Sequence, residues 1–305
     1  MNEVVLRIEG FRKTYGDLVA VEDLSLTVYR GEIFGLLGPN GAGKTSTLEC
    51  LEGLRKPDGG ALDILGVDPA RQPGRLRDLI GVQLQLAGLP GSMTVREAMR
   101  FFSAYHRVAP RDDLLARLGL GEKMNSQYSE LSTGQQRRLA LALAVAHRPP
   151  VVFLDEPTAG LDVESRAELH AMMHELRDAG ATILLATHDM AEAEKMADRV
   201  AILLRGRVAA AGSPRELTAA GAGMTKVSIR TEQSLLFQNG AQFPAAERHT
   251  VADDYTVYFS TDPGATVSAI LDHVTTHGDR LIDLRVERPS LEERFLEITH
   301  TGGAR

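Results

Sequence analysis

The spacing of apolar positions changes several times along the chain. Val4-Val5-Leu6-Arg7-Ile8 and Leu24-Ser25-Leu26-Thr27-Val28 run apolar or alternate, which predicts half-buried strands. Residues 32–37 form a short apolar run that ends at Gly38, and residues 44–52 have helix-forming composition, so strand, glycine-rich loop and helix follow one another. From 94 to 147 the period is helical, with Leu114, Leu115 and Leu118 at turn spacing, and this predicts an inserted helical subdomain over about residues 86–150. Residues 151–154 read as a buried strand, 163–179 as an amphipathic helix and 182–187 as another strand. Strand, helix, strand in that order implies a parallel sheet. A stretch of small residues at 218–225, with Gly221 and Gly223, reads as a linker. Beyond it, residues 226–230, 255–260 and 281–286 alternate like strands, while 265–277 and 290–300 look helical. The predicted organisation is therefore an α/β domain over residues 1–217 and a small α+β domain over 226–305.

Composition narrows the partners more than the fold. Among 305 residues, 43% are hydrophobic and 25% charged, which excludes disordered, collagen-like and disulfide-scaffold classes. A net charge of -7 opposes broad affinity for nucleic acid, because neutralising phosphates takes a surplus of Lys and Arg. The single cysteine, Cys50, excludes an intramolecular disulfide and is expected to pack inside a helix. No run approaches the roughly 20 apolar residues of a membrane-spanning helix; the most apolar stretch, 139–146, is flanked by Arg138 and His147 and reads as a core helix. The N-terminus shows no basic region followed by an apolar stretch, so a cytosolic chain is expected.

Three segments carry chemistry. Gly38-Pro39-Asn40-Gly41-Ala42-Gly43-Lys44-Thr45, followed by Ser46, satisfies the phosphate-loop pattern. Glycines let successive amides point at phosphate oxygens, Lys44 suits the β and γ phosphates, and the Thr45 hydroxyl suits Mg²⁺. The apolar strand Val151-Val152-Phe153-Leu154 ends in Asp155 and Glu156. Asp155 suits Mg²⁺ as a hard oxygen ligand, and Glu156 suits a general base that orients the attacking water. His188 follows the apolar strand Ile183-Leu184-Leu185-Ala186-Thr187, where it can meet the γ-phosphate. The phosphate loop alone specifies only a nucleoside-triphosphate binder, a property that kinases, GTPases and motors share. His170 and His174 stand four apart with no intervening glutamate, and read as a solvated helix face rather than a metal pair.

At Leu131-Ser132-Thr133-Gly134-Gln135 the chain resembles the signature of the ATP-binding-cassette ATPases, upstream of Asp155 at that family's spacing. The resemblance covers about the first 215 residues, with every motif in the family's order. It implies a P-loop NTPase core of that type with an antiparallel β subdomain and the inserted helical subdomain. It further implies that Tyr15 stacks on adenine, and that Gln85 contacts Mg²⁺ and the attacking water; Gln83 lies nearby, but the spacing from Ile80-Gly81 favours Gln85. Asp162, in Ala159-Gly160-Leu161-Asp162, looks like the residue that touches the opposite subunit. Ala159 stands where the family often has serine and Thr133 where it commonly has glycine, and neither departure removes a catalytic group.

The resemblance also implies a mechanism and partners. Two identical copies would pair head to tail, with Ser132 and Gly134 of one facing ATP held by the phosphate loop of the other. The pair would power separate membrane-spanning permease subunits from the cytoplasmic face of the membrane. Pro289-Ser290-Leu291-Glu292-Glu293-Arg294-Phe295-Leu296-Glu297 resembles the tail of bacterial drug- and antibiotic-exporting ATPase subunits, including the daunorubicin-resistance type, which favours export. The membrane partner is expected near residues 85–106, where Leu86, Leu89, Met93, Phe101 and Phe102 are candidates for a receiving surface. The alternative is a soluble cassette ATPase acting on ribosomes or DNA; the double cassette, basic regions and long coiled coils of such proteins do not occur in this sequence.

Overall fold

Strands that are buried on both faces must find neighbours on both edges, and the apolar runs Ile33–Leu37, Val151–Asp155 and Thr182–Thr187 are buried at every position. They form the centre of the first of two units, residues 1–214 and 215–305. The computed structural model describes residues 3–83, 88–220, 224–233 and 242–302. In chain order the first unit contains β1 (Val4–Tyr15), β2 (Leu18–Tyr29), β3 (Ile33–Leu37), α1 (Lys44–Leu51), β4 (Gly59–Ile64), α2 (Pro73–Leu76) and β5 (Ile80–Gln83). There follow α3 (Val95–Tyr105), α4 (Asp112–Arg117), α5 (Thr133–Val145), β6 (Val151–Asp155), α6 (Val163–Asp178), β7 (Thr182–Thr187), α7 (Met190–Met196), β8 (Arg199–Leu204) and β9 (Arg207–Gly212). Helix α8 (Pro214–Ala219) begins where the two units divide.

Nine strands form one mixed sheet in the order β4-β1-β2-β9-β8-β3-β7-β6-β5. Strands β8, β3, β7, β6 and β5 run parallel, whereas β4, β1 and β2 pair antiparallel. Phe11, Leu24, Leu48, Leu51 and Phe153 share the core between this sheet and α1, and Cys50 is fully buried there. On the opposite face α5 lies so close that a Cβ on Gly81 would stand 2.2 Å from the Ala144 carbonyl oxygen. The segment 139–145 is buried throughout, as its apolar run predicts.

Helix starts are set by short polar residues. Thr94 with Glu97 and Ser132 with Gln135 form capping boxes at α3 and α5. Asp162 and Asp189 accept from the backbone amides of Ser165 and Glu192 at α6 and α7. Each cap stabilises its helix by about 1 kcal/mol.

The second unit is a four-stranded antiparallel sheet, ordered β11-β12-β10-β13, with β10 (Thr225–Thr231), β11 (Ala246–Ala252), β12 (Tyr255–Ser260) and β13 (Leu281–Glu287). Helix α9 (Pro263–Thr276) covers one face, burying Ile270 and Val274 against Val227, Ile229 and Tyr258. Helix α10 (Leu291–Gly302) carries the buried Leu291, and its Glu293 pairs with Lys226 of β10.

Candidate functional site

Register brings the motif residues together. Leu37 at the end of β3 lies beside Thr187 at the end of β7, and Ala186 lies beside Asp155 at the end of β6. Three loops therefore leave the sheet side by side at its C-terminal edge, with the β7 loop between the other two. The first carries residues 38–46, the second His188 and the third Glu156.

The first loop curls around backbone geometry that only glycine tolerates. Gly43 has φ +104°, and a Cβ there would stand 2.7 Å from the Ala20 carbonyl oxygen and 2.8 Å from Val21 Cγ2. Lys44 is buried and donates from Nζ to the carbonyl oxygens of Gly38 at 2.7 Å and Pro39 at 3.3 Å. Its ammonium also lies 4.0 Å from Glu156 Oε1. Burial pushes the Lys44 pKa down, while Glu156 and Asp155 oppose the shift. No side chain caps the N-terminus of α1, so its free amides face the loop.

Thr45 donates from Oγ1 to Asp155 Oδ2 at 3.3 Å. The other carboxylate oxygen, Asp155 Oδ1, is buried with no hydrogen-bond partner, and burial, then the neighbouring Glu156, pushes this acid's pKa up. A hydroxyl and a carboxylate with an orphaned oxygen are the hard donors a Mg²⁺ ion takes. Glu156 is buried, and both its oxygens lie 2.9 Å from Nδ1 of the exposed His188. Its backbone sits at φ +48°, a left-handed conformation that costs a non-glycine residue free energy and is held here by the hydrogen bond its backbone N–H donates to the Ala186 carbonyl oxygen.

Tyr15, at the end of β1, is 36% exposed and lines a cavity of ≈ 250 Å³ with Leu18, Ala20, residues 40–46 and Glu156. Lys13 Nζ and the Arg55 guanidinium each lie 5.3 Å from its ring centroid. A larger hollow of ≈ 640 Å³, among Leu114, Arg148, Met172 and Leu176, contains none of the motif residues, so size does not locate the chemistry. Leu131 is buried, whereas Ser132 and Thr133 are exposed at the start of α5; Gly134 is buried where a Cβ would stand 2.8 Å from Ser165 Oγ. Gln135 donates its amide to Ser132 Oγ at 3.2 Å. Both carboxylate oxygens of Asp162 are engaged by Ser165 of its own helix. Gln85 and Leu86 lie outside the described residues. Gln83 is buried, with neither amide atom partnered.

Two features escaped the motif reading. Glu52, at the end of α1, is buried, and its pKa is pushed up to about 8 by burial and by nearby Asp155 and Glu49. His170 is not on a solvated face: only 5% exposed, it places Nε2 3.0 Å from Glu192 Oε1. Its partner is 22 positions away in sequence, so no local spacing announces it. Among the described residues, no cluster of three or more His, Cys, Asp or Glu side chains forms a metal site.

A family model described as ABC transporter matches residues 21–159. The chain is 34% identical to the daunorubicin resistance ATP-binding protein DrrA3 of Streptomyces coeruleorubidus, over 98% of this chain and 97% of that protein. It is 35% identical to the Nod factor export ATP-binding protein I of Ralstonia nicotianae, over 97% of this chain and 94% of the other. Among solved structures, the ATP-binding subunit of an ABC transporter superposes with a TM-score of 0.66 at 30% identity, over 70% of this chain and 92% of that one. The cbiO1 subunit from Clostridium perfringens, part of the cbiONQ transporter complex, gives 0.62 at 30% identity over 72% and 92%.

Proposed function

The chain belongs to the ATP-hydrolysing, ATP-binding subunits of ABC transporters, and from that premise we propose that two copies clasp Mg-ATP head to tail and drive export through separate membrane-spanning subunits. The observation that carries the reading is the alignment of β3, β7 and β6, which gathers Lys44, Thr45, Asp155, Glu156 and His188 at one sheet edge.

In this reading the amides of residues 38–46 and the Lys44 ammonium take the phosphates, and Tyr15 takes the adenine face. Thr45 and Asp155 would hold Mg²⁺, which would supply positive charge against the nucleotide's phosphates. Glu156 takes the proton of the attacking water, and His188 keeps that carboxylate aimed. Ser132, Thr133 and Gly134 of the second copy complete the γ-phosphate shell from the positive end of α5, with Leu131 packed beneath them and Gln135 bonded to Ser132. Asp162 and the loop before it lie in the expected contact between copies. Export is supported by the relatives named for daunorubicin resistance and Nod factor export, which match nearly the whole chain including its C-terminal unit. No helix among the described residues is long and apolar enough to cross a membrane, so the pathway for cargo is assigned to other chains on whose cytoplasmic side this one docks.

Glu156→Gln tests the reading. The full chain with this substitution is expected to bind ATP with unchanged affinity, to lose turnover by at least about 10²-fold, and to elute as a dimer when ATP is present. Turnover at the wild-type rate, or a monomer under saturating ATP, would overturn it. ATP-dependent capture of a membrane protein is the expected partner result, and co-sedimentation with ribosomes or DNA instead would replace the transporter assignment.

A further inference from the structure

A buried polar triangle lies behind the candidate catalytic pair. Glu192 of α7 is 4% exposed, Thr158 5% and His170 5%. Glu192 Oε1 accepts from the Thr158 hydroxyl at 2.6 Å and lies 3.0 Å from His170 Nε2. The second oxygen, Glu192 Oε2, has no partner. Each corner belongs to a different element. Thr158 stands two residues after Glu156, His170 is on α6, and Glu192 stands four residues after His188. The Glu192 amide is in turn held by Asp189 Oδ1 at 2.9 Å, directly after His188.

We infer that Glu192 is a positioning residue for hydrolysis. It ties the segment that follows Glu156 to the segment that follows His188, and so fixes from behind the 2.9 Å contact between those two side chains. The inference rests on the catalytic roles proposed for Glu156 and His188, and it adds the device that keeps them in register.

Hydrolysis needs two exits from the sheet to be held rigid against each other. Both loops leave neighbouring strands, and the Glu156 backbone is held in a left-handed conformation that surrounding bonds must over-determine. Within the sheet, the Glu156 amide is bound to Ala186. Beyond the sheet edge, Glu192 Oε1 joins the two segments. A buried acceptor shared by two donors costs free energy to lose, because removing it orphans both donors away from water. His170 on α6 gives the triangle a third, rigid anchor, since α6 packs beside β7.

The test is steady-state ATP hydrolysis by the full-length chain. Glu192→Ala is expected to lower kcat on the order of 10- to 100-fold, the usual effect of misplacing a reacting group by about 1 Å, while KM for ATP changes less than about 2-fold. Glu192→Gln keeps an oxygen for both donors and puts its amide where Oε2 stands alone, so it is expected to restore kcat to within about 3-fold of wild type. Thr158→Val is expected to lower kcat by a smaller factor and to add nothing to Glu192→Ala. A kcat unchanged by Glu192→Ala, a KM rising in proportion to any loss, or a Gln variant as impaired as the Ala variant would each overturn the inference. Thermal unfolding of each variant reports the folded fraction by which kcat is normalised; a loss that vanishes on normalisation also overturns it. A wild-type chain that does not hydrolyse ATP would remove the underlying reading and this inference with it, and Glu156→Gln separates that outcome from a failure confined to Glu192.

Discussion

At the scale of single residues, Glu52 couples the site to pH in a direction that can be worked out. Its pKa rises from an ordinary 4.5 to about 8, because burial and the neighbouring Asp155 and Glu49 all disfavour the charged form. A raised folded-state pKa favours the acid form, so the contribution is fully present below pH 4.5 and is lost as pH rises from there towards 8. Glu52→Gln removes that loss and is expected to stabilise the chain at pH 7.5 by about 1–3 kcal/mol, with little gain at pH 4.5; thermal melts at the two pH values measure it. The opposite outcome, equal gains at both, would mean that packing rather than ionisation is responsible. The phosphate loop was legible from sequence because its demands are local: Gly43 is required by its own φ of +104°. Glu52, Thr158 and Glu192 were not legible, because what makes them unusual is burial, and burial is decided by elements distant in sequence.

At the scale of elements, α3 and α5 meet through two histidines. His106, just after α3, stacks on His147, just after α5, with ring centroids 3.7 Å apart and planes 3° from parallel. His147 also lies with Nε2 3.1 Å from the Ile80 carbonyl oxygen of β5. Burial pushes both pKa values down, that of His147 to about 4 with His106 adding to the shift; Asp78 and Arg77 act on His106 in opposite directions. A histidine held neutral stabilises the fold above its unfolded pKa near 6.5, and that stability drains away as pH falls towards 4. Because Glu52 acts in the opposite direction over the same window, the His147 part is read as a difference: the melting temperature of His147→Asn relative to wild type is expected to rise as pH falls from 6.5 to 4.5, and an unchanged difference would show that the stack plays no part. The same helix α3 leaves Phe101 61% exposed, in edge contact with the half-buried Phe102, whereas Met99 is buried. Phe101→Ala is expected to keep the basal ATPase rate of the purified chain and to lose stimulation by the membrane subunit, read as the ratio of the two rates.

Some elements could be read directly and others could not. β3, β6 and β7 announce themselves by continuous apolar runs. β4 opens on Gly59-Gly60, and β9 is mostly alanine between Arg207 and Gly212, so neither has a pattern of its own; β1 and β8 order them by pairing. β11 is exposed along most of its length as an edge strand, and its polar sequence gives no alternation to detect. The order β3-β7-β6 likewise depends on crossovers that no local period encodes.

For the whole molecule, the proposed pairing of copies turns on the start of α5. Ser132→Ala removes both the cap of its own helix and the proposed contact with the partner's nucleotide. Ser132→Asp retains a capping oxygen but presents negative charge to phosphate. Both variants are expected to lose ATP-induced dimerisation by sedimentation or size exclusion, while only the alanine form melts earlier, by about 1 kcal/mol. Dimerisation surviving in Ser132→Asp would exclude the head-to-tail arrangement. The Ser132 oxygen accepts from the Gln135 amide, yet its proton goes to no group among the described residues. Helix capping and the proposed subunit joining thus draw on different halves of one hydroxyl. The surface proposed to meet the second copy is already shaped in the single chain, so closing the proposed clasp would require no local melting at that corner.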